Sequence, residues 1–110
     1  MPGWFELKRS KSNDHYFVLR ASNGEIILTS EMYKSKASAG KGIASVQKNS
    51  QSDKRFRRVA SSKGRHHFNL TAGNHQVIGT SESYKTEQAC ETGVASVKHN
   101  GKTKVVKDNA

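Results

Sequence analysis

The sequence is poor in cysteine, in acidic residues and in long apolar runs. A single cysteine, Cys90, excludes an intramolecular disulfide, which suits a reducing compartment. No window approaches the roughly 18 apolar residues of a membrane span. The N-terminal MPGWFELKRS holds no apolar run of signal-peptide length. The expectation is a cytoplasmic protein that does not enter a membrane. Hydrophobic residues make up 33% of the 110, below the roughly 45–50% of an average domain, a figure that also counts glycine. So little apolar material implies a thin core, such as one sheet with helices on one side. Asp and Glu number 9 against 19 Lys and Arg, a net charge of +10 with histidine neutral. Such a field attracts polyanions: nucleic acid, anionic lipid heads, acidic protein faces.

What is present is a duplication. Residues 17–49, FVLRASNGEIILTSEMYKSKASAGKGIASVQKN, return as 68–100, FNLTAGNHQVIGTSESYKTEQACETGVASVKHN, at a constant offset of 51. Between 5–50 and 56–101, 18 of 46 positions are identical. A free-standing half of this size would bury only roughly 60% of its unfolded surface. The two repeats, 1–51 and 52–110, are therefore expected to fuse into one structural domain. A monomer with internal pseudo-symmetry follows.

Within each copy the hydrophobic period changes once. Phe5 and Leu7 alternate with Trp4, Glu6 and Lys8, the pattern of a half-buried strand. His15, Phe17, Leu19 and Ala21 continue the alternation. Asn23-Gly24 signals a hairpin, because both residues tolerate positive φ, and residues 25–29 make a third strand. Ala39, Gly42, Ile43 and Val46 then share one helical face. Ser35 or Ser38 is placed to cap that helix, and Asn49 to end it in the left-handed conformation. Copy two predicts strands at 54–59, 66–72 and 76–80 and a helix at 86–99. The tail 103–107 is a further strand candidate, at the same offset as 52–56.

The tandem combination of F-x-L-x-A-x-N, T-S-E-x-Y and a helical G-[IV]-A-S-V-x-x-N resembles the YegP-like family, bacterial domains of unknown function. The residues that carry it are Phe17, Leu19, Ala21, Asn23, Thr29 to Glu31, Tyr33, Gly42 and Ala44 to Val46, with their partners 51 later. The resemblance implies an α+β fold: a β-β-β-α-β unit used twice, forming one antiparallel sheet with two helices on one face and exchanging C-terminal strands. It implies no activity and no catalytic residue.

Three constellations invite a chemical reading. The block Lys54-Arg55-Phe56-Arg57-Arg58 places Arg55 and Arg57 opposite Phe56 on a strand, where guanidinium groups suit phosphates. Trp4, if on the same face, would stack on a base. Lys54, Arg55, Arg57, Arg58 and Trp4 are thus the candidate polyanion-binding set, with nucleic acid or an acidic protein as partner. The bland alternative is an edge strand guarded by charge. The repeated T-S-E-x-Y turn reads better as turn and cap chemistry than as a paired ligand site. The five histidines and Cys90 form no metal signature, and His15 and His66 read as satisfied rim histidines. Gly40-Lys41-Gly42 fails as a phosphate loop, since Ser35 stands where a glycine is required. The carboxylates beside Cys90, Glu87 and Glu91, disfavour a thiolate. The expectation is a small non-catalytic binding module with no cofactor, its function sought where the copies disagree: Trp4 and Glu6 against Arg55 and Arg57.

Overall fold

The alternation around Phe5 and the helical spacing around Gly42 translate directly into elements. In a computed structural model, which describes residues 3–110, the first repeat forms β1 (Trp4–Arg9), β2 (His15–Arg20), β3 (Ile26–Ser30) and α1 (Lys36–Asn49). A 3-10 turn, Asp53–Arg55, leads into β4 (Phe56–Ala60). Then come β5 (His66–Thr71), β6 (Val77–Thr80), α2 (Glu87–Asn100) and β7 (Val106–Asp108).

The strands form one sheet in the order β4-β5-β6-β3-β2-β1-β7. The repeats meet where β3 and β6 pair, with Thr29 opposite its own counterpart Thr80. A pseudo-two-fold axis therefore passes between these two residues. β1 and β4 are counterparts, so they lie on opposite sides of the sheet. All pairs are antiparallel except β1–β7, which is parallel. The strand after each helix lands in the other repeat's half of the sheet. The two crossings are not equivalent, however. β4 pairs directly with β5, whereas β1 already occupies the place beside β2 and leaves β7 the outer edge. The sheet is accordingly mixed rather than purely antiparallel.

Both helices cover the face that carries Phe5, Phe17, Leu19, Phe68 and Leu70, all completely buried. Each repeat contributes the same aromatic cluster. Phe5 meets Phe17 edge-on at 5.8 Å and Phe17 stacks on Tyr33 at 6.2 Å. Phe56, Phe68 and Tyr84 repeat this at 5.6 and 6.5 Å. A bulge between Leu19 and Arg20 brings adjacent Ile27 and Leu28 both into the core. The predicted helical face of Ala39, Gly42, Ile43 and Val46 is buried as expected.

Ser35 is the N-cap of α1, its hydroxyl accepting from Ser38 N–H at 3.1 Å. Thr86 does the same for α2. The helix end differs from expectation. Asn49 stays helical and turns inward, donating its amide to the Ser45 carbonyl at 2.8 Å. Ser50 follows at φ −63, because the backbone runs straight into the junction and needs no left-handed residue. The Asn23-Gly24 hairpin forms, but only Gly24 takes positive φ, at 89. Asn23 instead accepts the Glu25 N–H with its side chain at 3.0 Å, a local side-chain turn. No helix among the described residues is long and apolar enough to cross a membrane.

Candidate functional site

The basic stretch does not act as one surface. Arg58 faces the helices, where its Nε and Nη2 donate to both Glu91 oxygens at 2.6 and 2.9 Å. Its Nη2 also reaches Asp53 at 3.1 Å, and Lys98 reaches the same Asp53 oxygen at 2.7 Å. The guanidinium holds the Glu91 carboxyl below its ordinary range, and Lys98, then Arg58, do so for Asp53. Arg58 is thus a structural ion-pair partner and leaves the candidate polyanion set. Arg57 is exposed on the opposite face, beside Asn69 of β5. Lys54 and Arg55 lie in the 3-10 turn, with the Arg55 guanidinium alongside Gly73.

Trp4 is also separated from this group. It sits in β1, five strand positions from β4, or about 24 Å at roughly 4.8 Å per strand. The Lys107 ammonium stands 4.2 Å above its ring. A base cannot stack there beside Arg57. The separation follows from the duplication: Trp4 and Arg55 are counterparts, and counterparts lie across the axis.

The repeated turn is occupied by its own scaffold. Ser30 Oγ accepts the Phe17 N–H at 2.9 Å and donates to the Glu31 carbonyl at 2.8 Å. Ser81 makes the same two bonds with Phe68 and Glu82. Tyr33 and Tyr84 pair their backbones with His15 and His66, and lay their rings over Gly42 and Gly93. Burial pushes both phenols up. Each tyrosine lines an open cleft shared with the other repeat's hairpin, Tyr33 with Gln76 and Ile78, Tyr84 with Glu25 and Ile27. The glycine and the tyrosine recur in both copies of the sequence, but only the packing of each helix on the sheet brings them together.

No group of histidines, cysteine and carboxylates is arranged to hold a metal among the described residues. His15 departs from expectation: its Nδ1 is buried with no hydrogen-bond partner, because Tyr33 satisfies only the His15 backbone. Cys90 is buried in α2, and burial, then Glu91, raises its thiol.

The two halves differ most at the outer edges. On the first repeat β7 closes β1. Phe5 N–H donates to the Val105 carbonyl and Asn109 N–H to the Leu7 carbonyl, both at 2.9 Å. Asn109 Nδ2 donates to Glu6 at 2.6 Å, and Lys36 pairs with Asp108 at 2.8 Å. On the second repeat β4 is the last strand. Beside it lies a cleft of about 210 Å³, lined by Arg58, Ala60, His66, Glu87 and Glu91.

Comparison with known proteins places this architecture. A family model described as a domain of unknown function, DUF1508, matches residues 10–56 and again 61–108. The chain belongs to this family. Each matched unit runs from the strand before the hairpin to the strand after the helix, so the first ends in β4 and the second in β7. The chain is 57% identical to the UPF0339 protein YegP of Escherichia coli strain K12 over 109 residues, 99% of both chains. It is 47% identical to a UPF0339 protein of Shewanella oneidensis, covering 98% of each. The solution NMR structure of the E. coli protein, described as a protein of unknown function, superposes with a TM-score of 0.94 over 99% of this chain and 94% of that one. The S. oneidensis structure gives 0.93, over 98% and 92%.

Proposed function

We propose that the protein is a non-catalytic binding module that engages another protein through the second repeat, at the β4 edge. One observation carries this reading: β1 is covered by β7, and the equivalent side of β4 is the sheet's open end. An unpaired strand edge presents backbone donors and acceptors to an incoming strand. The clefts beside the tyrosines are lined by hydroxyls, amides and one carboxylate each, Glu31 and Glu25, with no histidine or cysteine among the lining residues, which supports binding over catalysis. The single buried cysteine supports a cytoplasmic setting. The exposed Lys54 and Arg57 favour a second reading, contact with nucleic acid, without Trp4 or Arg58.

A photo-reactive amino acid placed at Ala60 in cells tests both. The expected result is a discrete protein adduct that resists nuclease and disappears with Arg57→Glu, while the same probe at Lys107 gives none. An adduct removed by nuclease would transfer the assignment to nucleic acid, and no adduct at Ala60 would sink the module reading.

A further inference from the structure

We infer that the two tyrosine clefts are a pair of cation sites, each taking an ammonium group on a short apolar stem. The inference goes beyond the β4 edge and does not depend on it. The scaffold uses only part of the repeated T-S-E-x-Y turn. Thr29 and Thr80 pair across the axis, and Ser30 and Ser81 are held by backbone groups. The ends of the glutamate and tyrosine side chains are left over. Neither phenol is hydrogen-bonded among the described residues. Neither Glu31 nor Glu82 joins an ion pair there.

The fused sheet turns these free ends into sites. Because β3 pairs with β6, each repeat's helix lies beside the other repeat's hairpin. The result is a cleft of about 440 Å³ at Tyr33 and one of about 400 Å³ at Tyr84, within the range of small-ligand sites. Ala72 and Ile78 give the first an apolar wall, and Ala21 and Ile27 do so for the second. The polar groups are Glu31 and Ser45 beside Tyr33, and Glu25, Thr92 and Ser96 beside Tyr84. The first cleft thus takes its carboxylate from the tyrosine's own repeat, the second from the other repeat.

The spare hydrogen-bonding capacity is mostly for accepting. A carboxylate only accepts. The Thr92 hydroxyl already donates to the Gln88 carbonyl at 3.1 Å. A ligand that supplies donors and positive charge matches these groups, and the apolar wall takes its stem. An anion would meet an unpaired carboxylate in either cleft. The net charge of +10 opposes a cation, but that field is screened beyond roughly 8 Å at physiological ionic strength, whereas the carboxylate is in contact.

Titration of the isotope-labelled full chain with 1-butylamine at neutral pH, followed by amide NMR, provides the test. The amine is protonated there, as a lysine is, and butyrate and 1-butanol are the controls. Saturable shifts are expected at 31–33 and 72–78 for one cleft and at 21–27 and 89–96 for the other. Butyrate should give none, and butanol should bind more weakly. Glu31→Gln should weaken the first cleft about tenfold, the scale of a charge-assisted hydrogen bond, and leave the second unchanged. Glu25→Gln should do the reverse, so the untouched cleft reports in each variant that the protein folds. Tighter binding of capped lysine would assign the ammonium to a peptide side chain, and tighter binding of butylamine to a free amine; either supports the sites. Shifts that do not saturate, comparable shifts around Glu87 (a carboxylate outside both clefts), or unchanged binding in both variants would overturn the inference.

Discussion

Leu28 and Gly79 are the same position of the two repeats, and the side chain of one fills the space above the other. A Cβ built on Gly79 would lie 2.9 Å from Leu28 Cγ. Near a two-fold axis a residue meets its own counterpart, so two large side chains cannot both fit. Ser50 and Gly101 show the same solution at the helix ends, where the Ser50 side chain occupies the place a Gly101 Cβ would take. Away from the axis no such conflict exists, and Gly42 and Gly93 are alike. Departure from symmetry in this core is therefore a packing requirement of the fused sheet.

Replacing Gly79 by Ala should destabilise the fold by about 1–3 kcal/mol, the usual cost of overpacking. Leu28→Ala should cost about 2–5 kcal/mol by leaving a cavity. The double variant should lose clearly less than the sum, because the new methyl occupies space the leucine vacated. Urea unfolding of the four proteins measures the coupling. Strict additivity would remove the steric link between the two positions.

Gly42 and Gly93 invite the opposite error. Helix propensity says that Gly→Ala in a helix gains about 1 kcal/mol. Here the added methyl would strike the ring of Tyr33 or Tyr84. Both single variants should therefore be destabilised, by about 1–3 kcal/mol. Tyr33→Phe should recover part of the loss at Gly42, since it removes the hydroxyl and leaves the ring. Thermal unfolding of the three variants decides between packing and propensity.

His75 carries strain that its counterpart avoids. It adopts φ 69 where Gly24 adopts 89. The left-handed region costs an ordinary L-residue about 1–2 kcal/mol, while glycine adds entropy to the unfolded chain. His75→Gly should therefore stabilise the protein by up to about 1 kcal/mol. The reverse change, Gly24→His, should destabilise it. A rise in the unfolding midpoint for the second variant would contradict the strain argument.

The elements were legible because each half-buried strand and each helical face writes its period into neighbouring residues. Arg57 could be placed opposite Phe56 for the same reason. Arg58 could not be assigned, because its partner Glu91 lies 33 residues away and is brought in only by the packing of α2. The separation of Trp4 from Arg55 was in principle readable, since counterparts in a fused repeat fall on opposite sides. The parallel edge made by β7 was not: it depends on β1 holding the place beside β2, a competition between distant segments. The buried bond from Gly3 N–H to Asn100 Oδ1, spanning 97 residues, had no local signal either.

The Arg58 cluster sets a direction for stability in acid. Glu91 and Asp53 have carboxyl groups held below their ordinary values of 4.5 and 3.8, Glu91 first by Arg58 and Asp53 first by Lys98. A carboxylate whose folded pKa is depressed contributes its stability above the unfolded value and loses it as pH falls through the folded one. The cluster's contribution should be complete near neutrality and begin to fade below about pH 4.5. Glu6, held down by Arg20 and Asn109, and Asp108, held down by Lys36, act in the same sense, so the whole protein should lose stability there. Arg58→Met removes the cluster's share but leaves theirs. The variant should have a lower Tm at pH 7 and a shallower decline between pH 5 and pH 3. The gap between the two proteins should close as the carboxyls protonate. Added salt should narrow the gap at pH 7, since these groups are largely exposed. Parallel pH profiles for the two proteins would show that Arg58 acts through packing of its alkyl chain and not through its charge.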